Sequence, residues 1–323
     1  MKCISVNDFL NNFDFQNIIG RGFYGVVCKA IDKNTQEEVA IQFFNSVRLE
    51  FHDFREFVAR NSLGIPGVVP ILHFYDNISK QQNESISIQV GSKKVNLNDS
   101  DHITVTKFIK NRNLEIVLVD YLSGRPTPGF GPTERSKIIF GIAKIMELAY
   151  EKKDFFHGEL FTRKVLLDEN FEPQISDFAI VLLQQRWNHY GLTNQSYAEF
   201  IAPETFDSDR IYIKQPVDVY AFGTLLYRMF THNRELDDRK RSYTINRFLY
   251  RVYKGARFLK QDSIPEHYWE LIQMCWDHDP QRRPDFKSIV LHLKDEKFAL
   301  EEKGMKTNMQ SLKEYQERLC NSR

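Results

Sequence analysis

The spacing of hydrophobic residues divides the chain into a strand-like first part and a helical second part. From Phe13 to about Leu122, apolar and polar positions mostly alternate around turn signals, as in "FQNIIGRGFYGVVCKAI" and "EEVAIQFF". This period of two is typical of antiparallel hairpins. One stretch, "RLEFHDFREFVARNSLG", instead predicts a helix, because its apolar residues share one helical face. Those residues are Leu49, Phe54, Phe57, Val58 and Leu63.

After the Pro/Gly-rich segment "SGRPTPGFGPT" the periodicity becomes helical and stays so through "LHLKDEK". We therefore predict one domain over 1–295, with a small lobe at about 13–122 and a large lobe at about 126–295. The polar stretch 79–102 is predicted to be an inserted hairpin or loop. The charged tail, 296–323, carries apolar residues at helical spacing. It is expected to be a helix that packs on its own domain or binds a partner, and both alternatives stay open.

Composition narrows the class of protein. The chain has 323 residues, of which 42% are hydrophobic and 27% charged, which is ordinary for a soluble globular protein. With a net charge of only +1, the chain has no strong positive electrostatic field that would attract nucleic acid or an anionic membrane, so neither is expected as a partner. The scattered cysteines lack a CxxC pair, and the N-terminus lacks a signal-like apolar core, so a cytoplasmic location is expected.

Three glycines, Gly20, Gly22 and Gly25, follow the spacing G-x-G-x-x-G. Glycine allows backbone N–H groups to approach phosphate oxygens closely. A plain hairpin turn with three glycines would look the same, so the spacing alone is a weak signal. Here it lies between two strand patterns with no helix directly after it. This context favours a hairpin that covers phosphates over a dinucleotide-binding crossover.

Seven motifs in order make the chain resemble a protein kinase domain. After the glycine loop come "VAIQ" (39–42), "HGEL" (157–160), "SDFA" (176–179), "APE" (202–204), "DVYAFG" (218–223) and "CWDHDPQRRPDF" (275–286). The last two are similar to the tyrosine-kinase and tyrosine-kinase-like branch. The resemblance implies an α+β, bilobal fold. Its small lobe would be an antiparallel β sheet with one main helix, and its larger lobe would be mainly helical.

The resemblance also implies a nucleotide site. Val27, Ala40 and Leu166 match the apolar residues that sandwich adenine, although any core would supply such residues. Asp120–Leu122 matches the hinge whose backbone binds the base.

One phosphate-binding residue of the family is missing here. Gln42 replaces the strand lysine that binds the α- and β-phosphates and pairs with a helix glutamate, here Glu56. The glycine loop and adenine walls favour ATP binding and Gln42 disfavours it, so ATP binding stays open.

The catalytic loop has lost most of its chemical residues. Glu159 replaces the aspartate base, Phe161 replaces a lysine, and Lys164 replaces the asparagine that holds a second metal. Gly158 replaces the arginine that reads a phosphorylated loop. Asp177 matches the magnesium-binding aspartate, so we expect at most one Mg²⁺ ion, with Lys164 excluding the second.

Other matches concern support of the fold. Glu204 and Arg283 match an ion pair of the large lobe, and Asp218 matches the residue that holds the catalytic-loop backbone.

Two classes of function follow from this resemblance. The first is a pseudokinase that regulates or scaffolds signalling through protein partners the sequence does not identify. The second is an active ATP-dependent protein kinase, or another phosphoryl or nucleotidyl transferase, that uses Glu159 and Lys164. Losing one preorganised charge costs about 100- to 1,000-fold in rate, so several such losses favour the first class.

Overall fold

The computed structural model describes residues 6–45, 54–76, 87–90, 93–96, 102–152, 155–183, 195–206, 215–232 and 244–322. Contacts divide them into two compact units. The first contains the residues up to Gly64 and Val69–Phe108, together with Leu182 and Leu183; the second contains the rest. Within these ranges, no helix is both long and apolar enough to cross a membrane.

The strands of the first unit are β1 (Phe13–Gly22), β2 (Gly25–Asp32), β3 (Glu38–Phe44), β4 (Ile71–Asp76), β5 (Ser87–Val90), β6 (Lys93–Asn96) and β7 (His102–Lys107). Five of them form an antiparallel sheet with the order β1-β2-β3-β7-β4, and β5 and β6 form a separate hairpin. The helices are α1 (Val6–Leu10) and α2 (Phe54–Asn61). The β5-β6 hairpin lies in the polar segment expected to be an insertion, and the rest of 79–101 lies outside the described residues.

Helix α2 confirms the predicted helix only in part. Phe54, Phe57 and Val58 are buried, as their spacing predicts. Leu63 is 51% exposed, because the helix ends at Asn61 and the chain then turns at Gly64. Leu49 lies outside the described residues.

The second unit is mainly helical, with a small sheet of three strands in the order Pro173–Ile175, Val165–Leu167, Asn111–Asn113. Its helices are α3 (Leu114–Leu122), α4 (Pro132–Tyr150), α5 (Gln215–Phe230), α6 (Ile245–Tyr253), α7 (Glu266–Cys275), α8 (Phe286–Leu293) and α9 (Met309–Asn321). Its strands are β8 (Asn111–Asn113), β9 (Val165–Leu167), β10 (Pro173–Ile175), β11 (Glu301–Glu302) and β12 (Met305–Lys306). A sheet-based unit and a helical unit together confirm the α+β class.

The predicted boundary near residue 122 is wrong. The strand-rich unit ends at Phe108, and 111–122 forms β8 and α3 of the helical unit. The Asn113 side chain caps α3 by accepting a hydrogen bond from the backbone N–H of Ile116 at 3.1 Å. The Pro/Gly-rich segment therefore connects α3 to α4 within one unit and does not join the two units.

The tail packs on its own unit. Helix α9 packs against α4, and its residues Leu312, Tyr315 and Leu319 are buried. The hairpin β11-β12 precedes α9, and Met305 within it is 53% exposed. Met305 therefore lies in β12, outside the helix predicted over the tail, and that helix begins only at Met309.

Candidate active site

Asp218 of α5 fixes the backbone of the segment that begins at His157. Its carboxylate accepts hydrogen bonds from the backbone N–H of His157 and of Gly158, both at 2.8 Å, and from the hydroxyl of Tyr150 at 2.6 Å. Burial raises the pKa of Asp218 above its ordinary value, and these three donors oppose that rise. The role expected for Asp218 is confirmed. The hydrogen bond from Tyr150 was not predicted, because Tyr150 belongs to none of the seven sequence motifs.

The His157 ring is a neutral support. Its Nδ1 accepts from the backbone N–H of Glu159 at 3.1 Å, and its Nε2 lies 3.1 Å from the carbonyl oxygen of Ser176. Complete burial, followed by the charge of Lys164, lowers the pKa of His157 to about 3. The imidazole therefore links two loops without carrying charge.

Lys164 and Asp177 form an ion pair at the centre of the site. Lys164 Nζ lies 2.6 Å from Asp177 Oδ2, and the two side chains are 16% and 23% exposed. Burial disfavours the ammonium, but the carboxylates of Asp177 and then Glu159 outweigh it and raise the pKa of Lys164. Three of the predicted site residues are thus brought together, with Lys164 as the shared cation.

The backbone around Asp177 adopts an uncommon conformation. Asp177 and Ala179 have φ of 62° and 57°, in the left-handed region, while Phe178 between them is buried. A non-glycine residue there costs about 1–2 kcal/mol. Ala179, which stands where the family carries glycine, therefore adopts a strained backbone conformation.

A magnesium ion does not fit this arrangement. One carboxylate oxygen of Asp177, Oδ2, already accepts a hydrogen bond from the Lys164 ammonium. Two unit charges ~4 Å apart interact by about 4 kcal/mol at an effective dielectric of 20, and a divalent ion would feel about twice that from Lys164. The described part of the chain also holds no group of three or more His, Cys, Asp or Glu side chains suited to a metal.

Phe161, which stands where the family carries a lysine, is part of an aromatic cluster. Its ring stacks on Tyr197 with centroids 4.9 Å apart and planes 8° apart, and it contacts Phe200 at 5.4 Å. The Arg163 guanidinium lies 5.1 Å from the centre of the Tyr197 ring. Tyr197 thus stacks on Phe161, the residue at the position of the loop lysine, and none of the sequence motifs predicted this contact.

The glycine motif forms a tight hairpin in the first unit. Gly22 pairs with Gly25 across β1 and β2, so only two residues form the turn. Gly25 has φ of 135°, and a Cβ there would collide with the carbonyl oxygen of Phe43. Glycine at 25 is therefore needed to close this hairpin against β3. Gly20, one step along, lies opposite Val27.

Val27, Ala40 and Gln42 share one face of this sheet. Val27 lies directly opposite Gln42 in the β2-β3 register, and both alternate with the buried core residues Cys28 and Ile41. The expected adenine-binding residues of the first unit and the substituted lysine position thus lie side by side. Leu166, on β9, belongs to the second unit, where it is half-buried.

The predicted hinge at Asp120–Leu122 is wrong. All three residues lie in the last turn of α3, where the backbone is part of the helix. The Asp120 carboxylate instead binds Arg112 at 3.1 Å and Arg125 at 2.7 Å. These residues cannot present an extended backbone edge to a base.

The remaining expected pairs have different outcomes. Glu204 and Arg283 form a bidentate ion pair at 2.7 and 2.8 Å, which confirms that expectation. Glu56 accepts a hydrogen bond from Arg60, one turn along α2, at 3.0 Å. The glutamate that would have paired with a strand lysine thus has a neighbour on its own helix.

Comparison with known proteins places these features in one family. The family model described as protein tyrosine and serine/threonine kinase matches residues 13–293. The dual specificity protein kinase splA of Dictyostelium discoideum is 26% identical over 88% of this chain and 11% of its own length. The tyrosine-protein kinase hopscotch of Drosophila melanogaster is 23% identical over 86% of the chain and 22% of its own length.

A third relative matches a shorter region. The megakaryocyte-associated tyrosine-protein kinase of Rattus norvegicus is 29% identical over 54% of the chain and 35% of its own length. This chain therefore spans only a minor part of each of these three relatives.

Proposed function

Since this chain belongs to the protein tyrosine and serine/threonine kinase family, we propose that it is a pseudokinase. It regulates or scaffolds signalling through protein partners and does not transfer phosphate efficiently. The observation that carries the proposal is the ion pair between Lys164 and Asp177. The carboxylate that the family uses for magnesium is here neutralised by the protein's own side chain.

Two further replacements support the proposal. Gln42 is uncharged, so the sheet face that it shares with Val27 lacks the cation with which the family's strand lysine binds the α- and β-phosphates. Phe161 is stacked on Tyr197 and brings no charge to the loop. Kinase rates are about 1–100 per second, and two independent losses of the usual size lower them by about 10,000-fold or more.

The competing function is phosphoryl or nucleotidyl transfer with non-standard residues. Glu159 favours it, because a carboxylate at the family's base position can act as a general base, and Lys164 lies close enough to interact with it electrostatically. Glu159 also donates its backbone N–H to His157, which holds this part of the loop in place.

Label transfer from radiolabelled ATP to a mixed peptide library decides between the two. We expect the parent protein to transfer no more label than an Asp177→Asn variant. A variant with Gln42→Lys, Glu159→Asp and Lys164→Asn is the positive comparison. Transfer by the parent that falls in Glu159→Gln or Lys164→Ala would establish the competing function instead.

A further inference from the structure

We propose that the Lys164 ammonium is a built-in cation that takes the place of a divalent metal, so that Asp177 binds neither Mg²⁺ nor Mn²⁺. The inference rests on the proposed function and deepens it, because it names the residue that makes the site independent of metal. It starts from the 2.6 Å contact between Lys164 Nζ and Asp177 Oδ2.

The backbone fixes this contact. Val165 pairs with Ile175 in the β9-β10 hairpin, and the pairing continues one residue further. There the carbonyl oxygen of Lys164 accepts hydrogen bonds from the backbone N–H of Ser176 at 2.9 Å and from its hydroxyl at 3.2 Å. The hairpin therefore sets Lys164 opposite Ser176, directly beside Asp177, and this pairing brings the Lys164 and Asp177 side chains within reach of each other.

The ion pair also occupies the space a metal needs. Magnesium demands oxygen ligands at about 2.0–2.1 Å in near-octahedral geometry. An ammonium group at hydrogen-bond distance from the same carboxylate must leave before the ion can enter. The Lys164 side chain is only 16% exposed, so it has little solvent to move into.

The balance of charge predicts what happens without the lysine. Asp177 and Glu159 both attract the Lys164 ammonium, so it offsets two carboxylates. A Lys164→Asn variant removes this cation from both carboxylates and adds an amide oxygen. Carboxylate and amide oxygens suit Mg²⁺ and Mn²⁺, so this single change should create a divalent-metal site.

The test is a titration of the purified full chain with Mn²⁺, in the absence of nucleotide, followed by electron paramagnetic resonance and by thermal unfolding. We expect the parent to bind no Mn²⁺ and keep its Tm. Lys164→Asn should bind Mn²⁺ at least about tenfold more tightly and gain stability with it. The double variant Lys164→Asn/Asp177→Asn should lose that binding.

A matched control is Lys144→Asn, which breaks a comparably buried lysine–carboxylate pair between Lys144 and Glu147 in α4. It should gain no Mn²⁺ binding. A Lys164→Asn protein that binds no more Mn²⁺ than the parent overturns the inference. Parent binding that disappears in Asp177→Asn also overturns it, and this comparison needs no Lys164 variant to fold.

A second titration, of the parent with ATP in Mg²⁺ or in EDTA, should give the same change in Tm under both conditions. A change that requires Mg²⁺ contradicts the inference. Phosphate transfer by a parent protein that ignores Mn²⁺ would refute the proposed function alone.

Discussion

The carboxylate of Glu302 in β11 is one of the groups that attach the C-terminal hairpin to α4. Glu302 forms an ion pair with Arg135 and accepts a hydrogen bond from the Tyr121 hydroxyl at 2.9 Å. The Arg135 side chain is 4% exposed, and its other Nη donates to the carbonyl oxygen of Met229 at 2.6 Å. The buried guanidinium therefore has Glu302 as its counter-ion.

Replacing Glu302 by glutamine removes the negative charge and keeps the shape. Breaking a buried ion pair from one side costs about 3–5 kcal/mol. Glu302 is 29% exposed, and glutamine retains a carbonyl oxygen for Tyr121, so both facts reduce the penalty. We expect Glu302→Gln to lower the free energy of unfolding by about 2 kcal/mol.

The preceding residue provides the control. Glu301, also in β11, is 57% exposed and lies 3.5 Å from Lys306, which is 77% exposed. A surface pair of this kind contributes about 0–1 kcal/mol, so Glu301→Gln should change stability by less than about 0.5 kcal/mol. Urea unfolding of the parent and both variants measures the difference. Equal losses in the two variants would refute the packing of the tail on α4 and would favour a tail free to bind a partner.

Two other predictions concern α4 and His157. Gly141→Ala, normally stabilising in a helix, should instead destabilise by about 1–2 kcal/mol in urea unfolding, since the new Cβ meets the Tyr315 hydroxyl and lies 2.6 Å from Pro173 Cγ. Tyr315→Phe should restore part of the loss, and a stabilised Gly141→Ala protein would contradict the packing of α9. His157, with its pKa lowered to about 3, contributes stability that is complete above about pH 6.5 and is lost as pH falls. The stability difference between the parent and His157→Gln should therefore shrink by about 2 kcal/mol between about pH 6.5 and pH 5, and a constant difference would show that His157 is not buried in its neutral form.

The periodicity of the sequence predicted the sheet of the first unit correctly, but it placed the end of that unit near Leu122 instead of at Phe108. Cys28 and Ile41 alternate with Val27 and Gln42 because one face of the sheet is buried, and this alternation is visible in the sequence. The segment "EIVLVDYL" falls at the end of the part predicted to be mostly strand-like, and its last three residues match the family's hinge, yet it forms α3. The overlooked signal is Asn113, whose side chain caps α3.

The site was predictable in its parts and not in its contacts. The order of motifs located Glu159, Lys164 and Asp177, and the charge of Lys164 predicted the exclusion of a second metal ion, although one ion was still expected at Asp177. The direct contact with Asp177 depends on the register of the β9-β10 hairpin, which short strands do not announce. The stack of Phe161 on Tyr197 was hidden for a similar reason, because the two residues are distant in sequence.

The site combines a retained frame with charges that are already balanced. Asp218 holds the loop backbone through buried hydrogen bonds, and His157 bridges two loops as a neutral ring. Among the side chains at the chemical positions, Lys164 is bound to Asp177 and Phe161 to Tyr197. A carboxylate awaiting a metal is destabilised by its own unpaired charge, whereas this one is already paired. The charge of Asp177 is therefore balanced without a metal, as the proposed pseudokinase role requires.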